Sequence, residues 1–399
     1  MTEPTQEIIT SAVQLVELCR EWSDCPVIGF DTEFVGEHTY HPELCLVQVA
    51  LPNRLYLIDP YSTGPLDPFW RLLHDPQRVA VVHAGREEVR LCRVLSGAPP
   101  ANLFDIQLAA GLINGAYPLG HAAVVQQYLG HRLSKGETLT EWRRRPLTPA
   151  QVRYAFDDVR YLLRLYEKQR NHLKTLNRLE WVKEEAERLI RRAGCPEVQA
   201  EEERWRKLRG IGSLDRRKLA VVKGLYELRD AKAIAADRPA RTILRDDLLV
   251  EIAKRTPKTT KDLEVIRGLA ARDLPDVLQT VEAAYALPLE KCPSPPEREV
   301  DFPQLPLITN ILIAVLGDYC ARHHLAMSLV ASTSDIRTLT RAAIMGNAIP
   351  EMPLTQGWRA RNVLPELLAV LAGRKQFRLA NIRSETPLEL QPTVRVTGN

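Results

Sequence analysis

Two acidic residues, Asp31 and Glu33, end a strand-like segment that is otherwise apolar. Residues two positions apart on a β-strand project from the same face of the sheet. Carboxylates this close repel each other unless a cation lies between them or one of them is protonated. Hard divalent ions such as Mg²⁺ and Mn²⁺ bind oxygen ligands of this kind. The pair therefore predicts a metal site, although solvated acids at an exposed strand end would show the same spacing.

A tyrosine and an aspartate one helical turn apart form a second reactive pair. Thr148 and Pro149 suit the cap and the first position of a helix, and Tyr154 and Asp158 then fall on one of its faces. Asp158 can bind a metal ion, and the Tyr154 hydroxyl can orient a water held on that ion. A tyrosine packed against the sheet beside a solvated aspartate is the alternative. The neighbouring Asp157 is rotated by ~100° around the helix.

A third acidic group lies where an apolar strand passes into a helix. The segment VVHAGREEVRLC places Glu87 and Glu88 in the first helical turn, after the turn His-Ala-Gly. Acidic residues are favoured at a helix N-terminus by the helix dipole. This pattern therefore has a structural explanation as well as a catalytic one.

Hydrophobic periodicity predicts the elements that carry these residues. In chain order they are a helix capped by Thr10, strands at 27–33, 44–50 and 54–58, a helix at 66–74, a strand at 79–83, a helix at 86–95 and a strand at 102–104. The short connections between the first three strands favour an antiparallel meander, and the rest of the chain reads as helical. The predicted fold class is α/β plus all-α: a mixed sheet flanked by helices, followed by two small helical bundles.

The chain of 399 residues is too long for one ordinary domain. Residues 1–175 contain 18 basic and 20 acidic residues, a net charge of −2, whereas residues 204–290 contain 19 and 13, a net charge of +6. This uneven charge suggests a catalytic unit beside a module that meets polyanions, or else a solvated helical surface. The predicted division is a catalytic domain at 1–192, a hinge at 193–203, a helical domain at 204–290, a proline-rich linker at 291–306, a second helical domain at 307–385 and a flexible tail at 386–399.

Composition excludes several other classes of protein. The longest apolar stretch, near residues 311–316, is too short to span a bilayer, and the N-terminus lacks the pattern of a secretory signal. The seven cysteines are dispersed without C-x-x-C pairs, which argues against a zinc site or a disulfide framework. We therefore expect a cytoplasmic protein with reduced thiols and no membrane partner, and we favour a monomer, although the sequence does not fix the oligomeric state.

The order and spacing of these segments resemble the ribonuclease D group of 3′–5′ exonucleases, which belong to the DEDD nucleases of ribonuclease H-like fold. FDTEF resembles the first motif of the group, and VVHAGREEVRL followed by NLFDIQLAAGLI resembles the second, with Ile106 in place of a threonine. KGETLTEWRRRPLTPAQVRYAFDDVRYL resembles the approach to the third motif, in the version with a tyrosine four residues before the aspartate. The resemblance covers most of residues 7–170.

The resemblance assigns roles to individual residues. It implies that Tyr154 positions or deprotonates the attacking water. At Glu88 the group has an aspartate, so this chain departs from the pattern by one methylene, and Glu87 and Asp105 remain alternatives for the fourth acid. Two divalent ions, Mg²⁺ or Mn²⁺, are implied ~3.5–4 Å apart at the scissile phosphate. The implied metal ligands are Asp31, Glu33, Glu88 and Asp158.

The helical segments resemble nucleic-acid-binding modules. Residues 204–290 resemble an HRDC domain through RKLAVVKGLYELRDAKAIAADRPARTILRDDLLVEIAKRTPKTTKDLEVIRGL, and residues 307–383 more weakly resemble the last module of ribonuclease D proteins. The cluster RWRKLR can follow phosphates or form a solvated face, and Trp142 and Trp205 can stack on bases or be buried. Candidate nucleic-acid contacts are Phe34, His83, Lys135, Arg204, Arg206 and Lys207.

The predicted function is a metal-dependent 3′–5′ exoribonuclease that trims tRNA precursors and other small structured RNAs and releases nucleoside 5′-monophosphates. One alternative is an RNA-binding scaffold whose nuclease site is silenced by Glu88, and another is a 3′–5′ exonuclease on DNA. No residue distinguishes RNA from DNA, so that choice comes from the resemblance alone. If the helical modules form a clamp, deleting residues 292–399 should weaken binding to structured RNA and spare cleavage of short strands.

Overall fold

A six-stranded mixed sheet forms the centre of the N-terminal half. The computed structural model describes residues 3–37, 39–133, 141–194, 204–295 and 302–393. The strands are Thr5–Ile9 (β1), Val27–Val35 (β2), Glu43–Leu51 (β3), Arg54–Ile58 (β4), Val79–Val82 (β5) and Leu103–Asp105 (β6). They are arranged in the order β1-β4-β3-β2-β5-β6, in which β2 is antiparallel to β3 and parallel to β5.

The predicted meander of β2, β3 and β4 is confirmed, since β3 is antiparallel to both of its neighbours. Strand β1, which pairs in parallel with β4, was not predicted from the sequence. Ile9 is its only buried residue, so no alternation of buried and exposed side chains marks the segment as a strand.

Helices cover both faces of the sheet. They are Ala12–Trp22 (α1), Pro60–Thr63 (α2), Asp67–Leu73 (α3), Arg86–Ser96 (α4), Ile106–Ile113 (α5), His121–Leu129 (α6), Pro149–Arg160 (α7), Leu162–Thr175 (α8) and Leu179–Gly194 (α9). Helices α1, α3 and α4 contribute to the core on one face, and α5 to α8 contribute to the core on the other. Gly29 allows α8 to lie close to β2, because a Cβ at this position would be 3.1 Å from the Leu162 Cβ.

The middle block of helices has a hydrophobic core of its own. Its α-helices are Arg216–Ala235 (α10), Ala240–Ile243 (α11), Asp246–Arg255 (α12), Thr260–Glu264 (α13) and Leu274–Ala286 (α14). Trp205 and the predicted apolar positions Leu219 and Leu225 are buried in this core. The block touches the N-terminal half through Asp237, whose carboxylate accepts a hydrogen bond from the Tyr40 N–H at 3.0 Å.

The last block of helices ends in a two-stranded sheet. Its elements are Leu305–Arg322 (α15), Met327–Val330 (α16), Thr333–Met345 (α17), Gly357–Asn362 (α18), Leu364–Leu371 (α19), Lys375–Leu379 (β7) and Leu388–Pro392 (β8). Its buried side chains belong to the same hydrophobic cluster as those of α5, α7 and α8. This block is therefore part of the core of the N-terminal half, unlike the middle block.

Specific contacts fix the last block in place. Gly111 lies in α5, and a Cβ there would be 2.5 Å from Leu329, so only glycine permits this approach. Trp181 of α9 stacks on Trp358 with ring centroids 4.5 Å apart. Glu185 and Arg359, both almost fully buried, form an ion pair across the same interface.

Three predicted boundaries differ from the structure, and parts of the predicted hinge and linker lie outside the described residues. The predicted flexible tail at 386–399 is wrong for residues 388–392, which form β8, and the Leu388 N–H donates to Asp318 at 2.9 Å. Helix α9 extends into the predicted hinge, and α15 begins inside the predicted linker. Residues 195–203 and 296–301 are outside the described part of the chain. The remaining domain boundaries stay predictions.

Helix α15 is long and apolar enough to cross a membrane by length and composition alone. In this structure, however, Leu312, Val315 and Leu316 lie in the cluster shared with the N-terminal half. The apolar character of α15 is thus explained by its place in a protein core.

Candidate active site

Strand β2 carries Asp31 and Glu33 beyond the end of its parallel neighbour. It pairs with β5 only through residues 27–29. In the antiparallel ladder, Asp31 lies opposite Gln48 and Glu33 lies opposite Leu46. Opposed residues share a face of the sheet, and Leu46 belongs to the cluster that also contains side chains of α7 and α8. Both acids therefore project toward these helices, as the two-residue spacing predicted.

The loop before α4 is held so that Glu88 reaches β2. The Asp105 carboxylate accepts hydrogen bonds from the N–H groups of Ala84 and Gly85 at 3.2 and 2.9 Å. Glu88 is 5% exposed, and its Oε1 accepts a hydrogen bond from Thr32 Oγ1 at 2.9 Å. The Asp31 carboxylate is close enough to raise the pKa of Glu88, so the longer glutamate side chain reaches both Thr32 and the strand acids.

Neighbouring acids are excluded from the site by the partners they already have. Glu87 pairs with Arg90 at 2.9 Å on the surface of α4. Asp105 caps α5 and holds the preceding loop. Asp157 pairs with Arg160 at 2.9 Å. The structure therefore brings Glu88 to the site, and neither Glu87 nor Asp105 takes its place.

Helix α7 begins in a defined position and thereby places Asp158. The Arg145 guanidinium forms two hydrogen bonds to the Asp59 carboxylate, at 2.7 and 2.9 Å, just before the helix. The Thr148 side chain caps the helix in a capping box with Gln151, and proline occupies the first turn, as predicted. Since α7 contacts both β2 and β3, Asp158 lies above the strand acids.

Burial raises the pKa values of all four acids, and neighbouring carboxylates raise them further. Desolvation and the Asp158 carboxylate raise the pKa of Asp31 to about 7. Desolvation and the other three acids raise the pKa of Glu33 to about 9. Burial and Asp31 raise the pKa of Glu88 well above its ordinary value, and burial raises the pKa of Asp158 to about 7. Asp31, Asp158 and Glu88 all act on the charge of Glu33, which places these carboxyl groups close to it.

The chemistry of this cluster fits a hard divalent cation. All four side chains offer carboxylate oxygens, and Asp158 Oδ2 is buried without a hydrogen-bond partner. Within the described ranges, no group of three or more His, Cys, Asp or Glu side chains is already arranged as a metal cage. Side-chain movements are therefore needed for the acids to close around an ion.

Tyr154 lies beside this cluster on the same face of α7 as Asp158. Burial, followed by Asp158 and the two strand acids, raises the pKa of Tyr154 above its usual range. Its ring is 6.1 Å from that of Trp142, which is 4% exposed. Tyr154 consequently keeps its proton at neutral pH and can donate a hydrogen bond to an oxygen at the site.

Two polar residues at the site were not predicted from the sequence. His121, at the start of α6, has its Nδ1 3.9 Å from Asp158 Oδ1, and its Nε2 is buried without a partner. Gln48, opposite Asp31, is fully buried and its amide atoms have no partner. The sequence offers a signal for Gln48, which is a polar residue within an otherwise apolar strand. It offers no such signal for His121.

The predicted nucleic-acid contacts fall into separate regions. Phe34 is partly exposed directly after Glu33 on β2. His83 Nε2 lies 2.8 Å from the Leu119 carbonyl, and its ring is 5.4 Å from that of His121. Lys135 lies outside the described residues. That Phe34, His83 and Lys135 contact RNA remains a prediction.

The basic cluster of the middle block surrounds a buried tryptophan. Arg204, Arg206 and Lys207 belong to a 3₁₀ turn, Arg204–Lys207. Trp205 is 1% exposed, and the Arg206 guanidinium lies 4.5 Å above its ring. Trp205 therefore serves the core and is not available to stack on a base, and the same is true of the buried Trp142.

Comparison with known families gives two matches. Residues 6–174 match a family described as 3′-5′ exonuclease, and residues 218–276 match the HRDC domain. The first match spans residues 7–170, where the resemblance was predicted, and extends past them at both ends, and the second falls within residues 204–290.

Whole-chain comparison gives matches of greater extent. The ribonuclease D of Acidiphilium cryptum is 32% identical over 381 residues, which cover 93% of this chain and 94% of that protein. The ribonuclease D of Sphingobium indicum is 32% identical over 386 residues, which cover 94% and 97% of the two chains. The crystal structure of Escherichia coli RNase D, described as an exoribonuclease involved in structured RNA processing, matches with a TM-score of 0.82 and 29% identity, covering 94% of this chain and 100% of the other.

Proposed function

Because this chain belongs to the ribonuclease D family and is a 3′–5′ exoribonuclease, we propose that it trims the 3′ ends of tRNA precursors and other small structured RNAs. The observation that carries this proposal is the convergence of four acids beside a protonated tyrosine. The family and the fold class expected from the sequence are confirmed.

The residues divide the work of hydrolysis between them. Asp31, Glu33, Glu88 and Asp158 are the groups that would hold two divalent ions, Mg²⁺ or Mn²⁺. Such ions supply charge neutralisation at the phosphate and lower the pKa of a bound water. The Tyr154 hydroxyl lies beside these acids, where it would position the attacking water or take a proton from it. Thr32 positions Glu88 through the hydrogen bond to Oε1.

RNA is the substrate class that the relatives support, and structured RNA is named for the E. coli enzyme. The direct test is degradation of 3′-labelled RNA and DNA of the same sequence, each with Mg²⁺, Mn²⁺ or EDTA. We expect release of nucleoside 5′-monophosphates from RNA with either metal and none with EDTA. Preferential degradation of DNA would instead favour the alternative of a 3′–5′ exonuclease on DNA. A precursor tRNA with a 3′ extension then tests the narrower assignment.

A silenced RNA-binding scaffold was the other alternative. The position of Glu88, hydrogen-bonded to β2 and coupled to Asp31, counts against it because the departure from aspartate keeps a carboxylate in the site. The same assay separates the two, since a scaffold would bind the RNA and leave its length unchanged.

We also propose a cellular location and an oligomeric state for the enzyme. We place it in the cytoplasm, without a membrane partner, and we favour a monomer. Six of its cysteines (Cys19, Cys25, Cys45, Cys92, Cys292 and Cys320) are free thiols, which suits a reducing compartment. Light scattering of the purified chain tests the oligomeric state.

A further inference from the structure

A cavity of about 620 Å³ lies between the N-terminal half and the last block of helices. Its wall includes Ala84 from the turn before α4, Arg86 at the start of α4, residues of α9, and residues 328–332 of the last block. Ala84 and the adjoining Gly85 are the residues that Asp105 holds in place to position Glu88. The cavity therefore adjoins the loop that supports the candidate active site.

The acidic residues of the cavity wall already have partners. Glu185 pairs with Arg359 and accepts a hydrogen bond from the indole N–H of Trp358 at 2.9 Å. Asp335 completes the capping box of α17 by accepting a hydrogen bond from the N–H of the cap residue Ser332 at 2.8 Å. Asp105 accepts the hydrogen bonds described above. These carboxylates are thus engaged in holding the wall together.

Three arginines in the wall lack such partners. Among the described residues, Arg188 forms an ion pair only with Glu185, at 3.9 Å, and that carboxylate is already paired with Arg359. The Asp335 carboxylate also acts on the charge of Arg188 without forming an ion pair with it. Burial, followed by the charges of Arg359 and Arg192, lowers the pKa of Arg188. Arg86 and Arg192 are exposed and form no ion pair in the described part of the chain. An excess of guanidinium groups therefore faces one cavity.

We infer that this cavity, through Arg86, Arg188 and Arg192, binds a phosphate group. Guanidinium groups match phosphate oxygens in geometry and charge, and an anion here would offset the mutual repulsion of the arginines. Two sources share this chemistry: a backbone phosphate of the RNA, or a free nucleoside 5′-monophosphate of the kind released by cleavage. The RNA source rests on the proposed function, whereas binding of a free phosphate does not.

The test uses the full chain and two substitutions in the cavity. Arg192→Gln changes an exposed side chain and should leave the fold intact, and Arg188→Gln changes the half-buried one. The matched control is Arg191→Gln, because Arg191 directly precedes Arg192 in the same helix, is 67% exposed and pairs with Glu187. All three substitutions remove one positive charge, so any difference between them reports position and not net charge.

Binding is measured in EDTA, so that cleavage does not interfere and failure of the proposed nuclease activity cannot mimic failure of this inference. A fluorescent single-stranded RNA is titrated at several salt concentrations, and melting temperatures are recorded with AMP and with inorganic phosphate. If the RNA backbone is the source, Arg192→Gln weakens RNA binding about tenfold, and the slope of log affinity against log salt falls by about 0.7 per lost contact.

If a free phosphate is the source, AMP or inorganic phosphate raises the melting temperature of the wild type and of Arg191→Gln, but not that of Arg192→Gln. Partial recovery in Arg192→Lys would show that charge at this position is required. The inference is overturned if Arg192→Gln and Arg188→Gln match Arg191→Gln in both the RNA and the phosphate measurements.

Discussion

Replacing Glu88 by aspartate restores the residue typical of the family and yet should impair this enzyme. The Glu88 side chain is buried, and its Oε1 lies 2.9 Å from Thr32 Oγ1. Removing one methylene withdraws the carboxylate by about one C–C bond, roughly 1.5 Å, which breaks a hydrogen bond of this length. The acid would then lie farther from Asp31.

The cost can be worked from these contacts. Loss of the hydrogen bond costs about 1 kcal/mol, and loss of one buried methylene costs about 0.8 kcal/mol. The free energy of unfolding should therefore fall by about 2 kcal/mol, which lowers the melting temperature by roughly 4–8 °C. Displacement of a catalytic group by about 1 Å can cost up to 100-fold, so we expect kcat for RNA to fall about 10- to 100-fold.

The assay is single-turnover cleavage of 3′-labelled RNA with Mg²⁺, together with Mn²⁺ affinity and thermal unfolding. Glu87→Asp is the matched control, because it makes the same chemical change at the adjacent, surface-paired residue. It should alter none of the three measurements. If Glu88→Asp cleaves RNA as fast as the wild type or faster, the extra methylene hinders catalysis, and the argument from the Thr32 hydrogen bond is wrong.

Three further predictions follow from the same structure. Tyr154→Phe removes only the hydroxyl that faces the site, so kcat should fall about 100-fold. The Mn²⁺ affinity, measured by calorimetry, should stay unchanged. An unaltered kcat would exclude a role of this hydroxyl in orienting the water. In EDTA, the folded protein binds more protons than the unfolded chain between about pH 5 and pH 9, because the pKa of Glu33 is raised to about 9 and those of two other acids to about 7. The free energy of unfolding should then fall as pH rises through this window. The increase in melting temperature on adding Mg²⁺ should be larger at pH 8.5 than at pH 6. An increase that does not change with pH would contradict this prediction. Deleting residues 292–399 should unfold the catalytic domain, because apolar side chains of α5, α8 and α9 lose their cover at about 1.5–3 kcal/mol each. Replacing residues 204–290 by a flexible linker should instead leave a folded nuclease that binds structured RNA more weakly. Circular dichroism and RNA-binding measurements on the two variants test this difference.

The deletion prediction reverses what the sequence alone suggested. The proline-rich segment after Cys292 reads as a boundary between independent domains, so removal of everything beyond it was expected to spare the chemistry. In the structure, Gly111 admits Leu329 into the core, and Trp358 stacks on Trp181. These contacts join residues far apart in sequence, and no local pattern of hydrophobicity or charge reports them.

The sequence by itself determined which side chains share a face. Strand alternation directed Asp31 and Glu33 to one side of β2, and the cap at Thr148 set the helical phase that aligns Tyr154 with Asp158. These relations depend on the geometry of a single element, which local sequence specifies. The resemblance to the family could be recognised from these local motifs and their order along the chain.

Only the tertiary structure decided between acids that are equivalent in local pattern. Glu87 and Glu88 share the first turn of α4, and their roles differ because Asp105 holds the preceding loop and Thr32 meets only the second of them. The approach of His121 to Asp158 and the arginine-lined cavity are likewise products of contacts between distant segments. Side-chain reach across elements is set by how helices and strands pack, and that packing is a property of the whole chain.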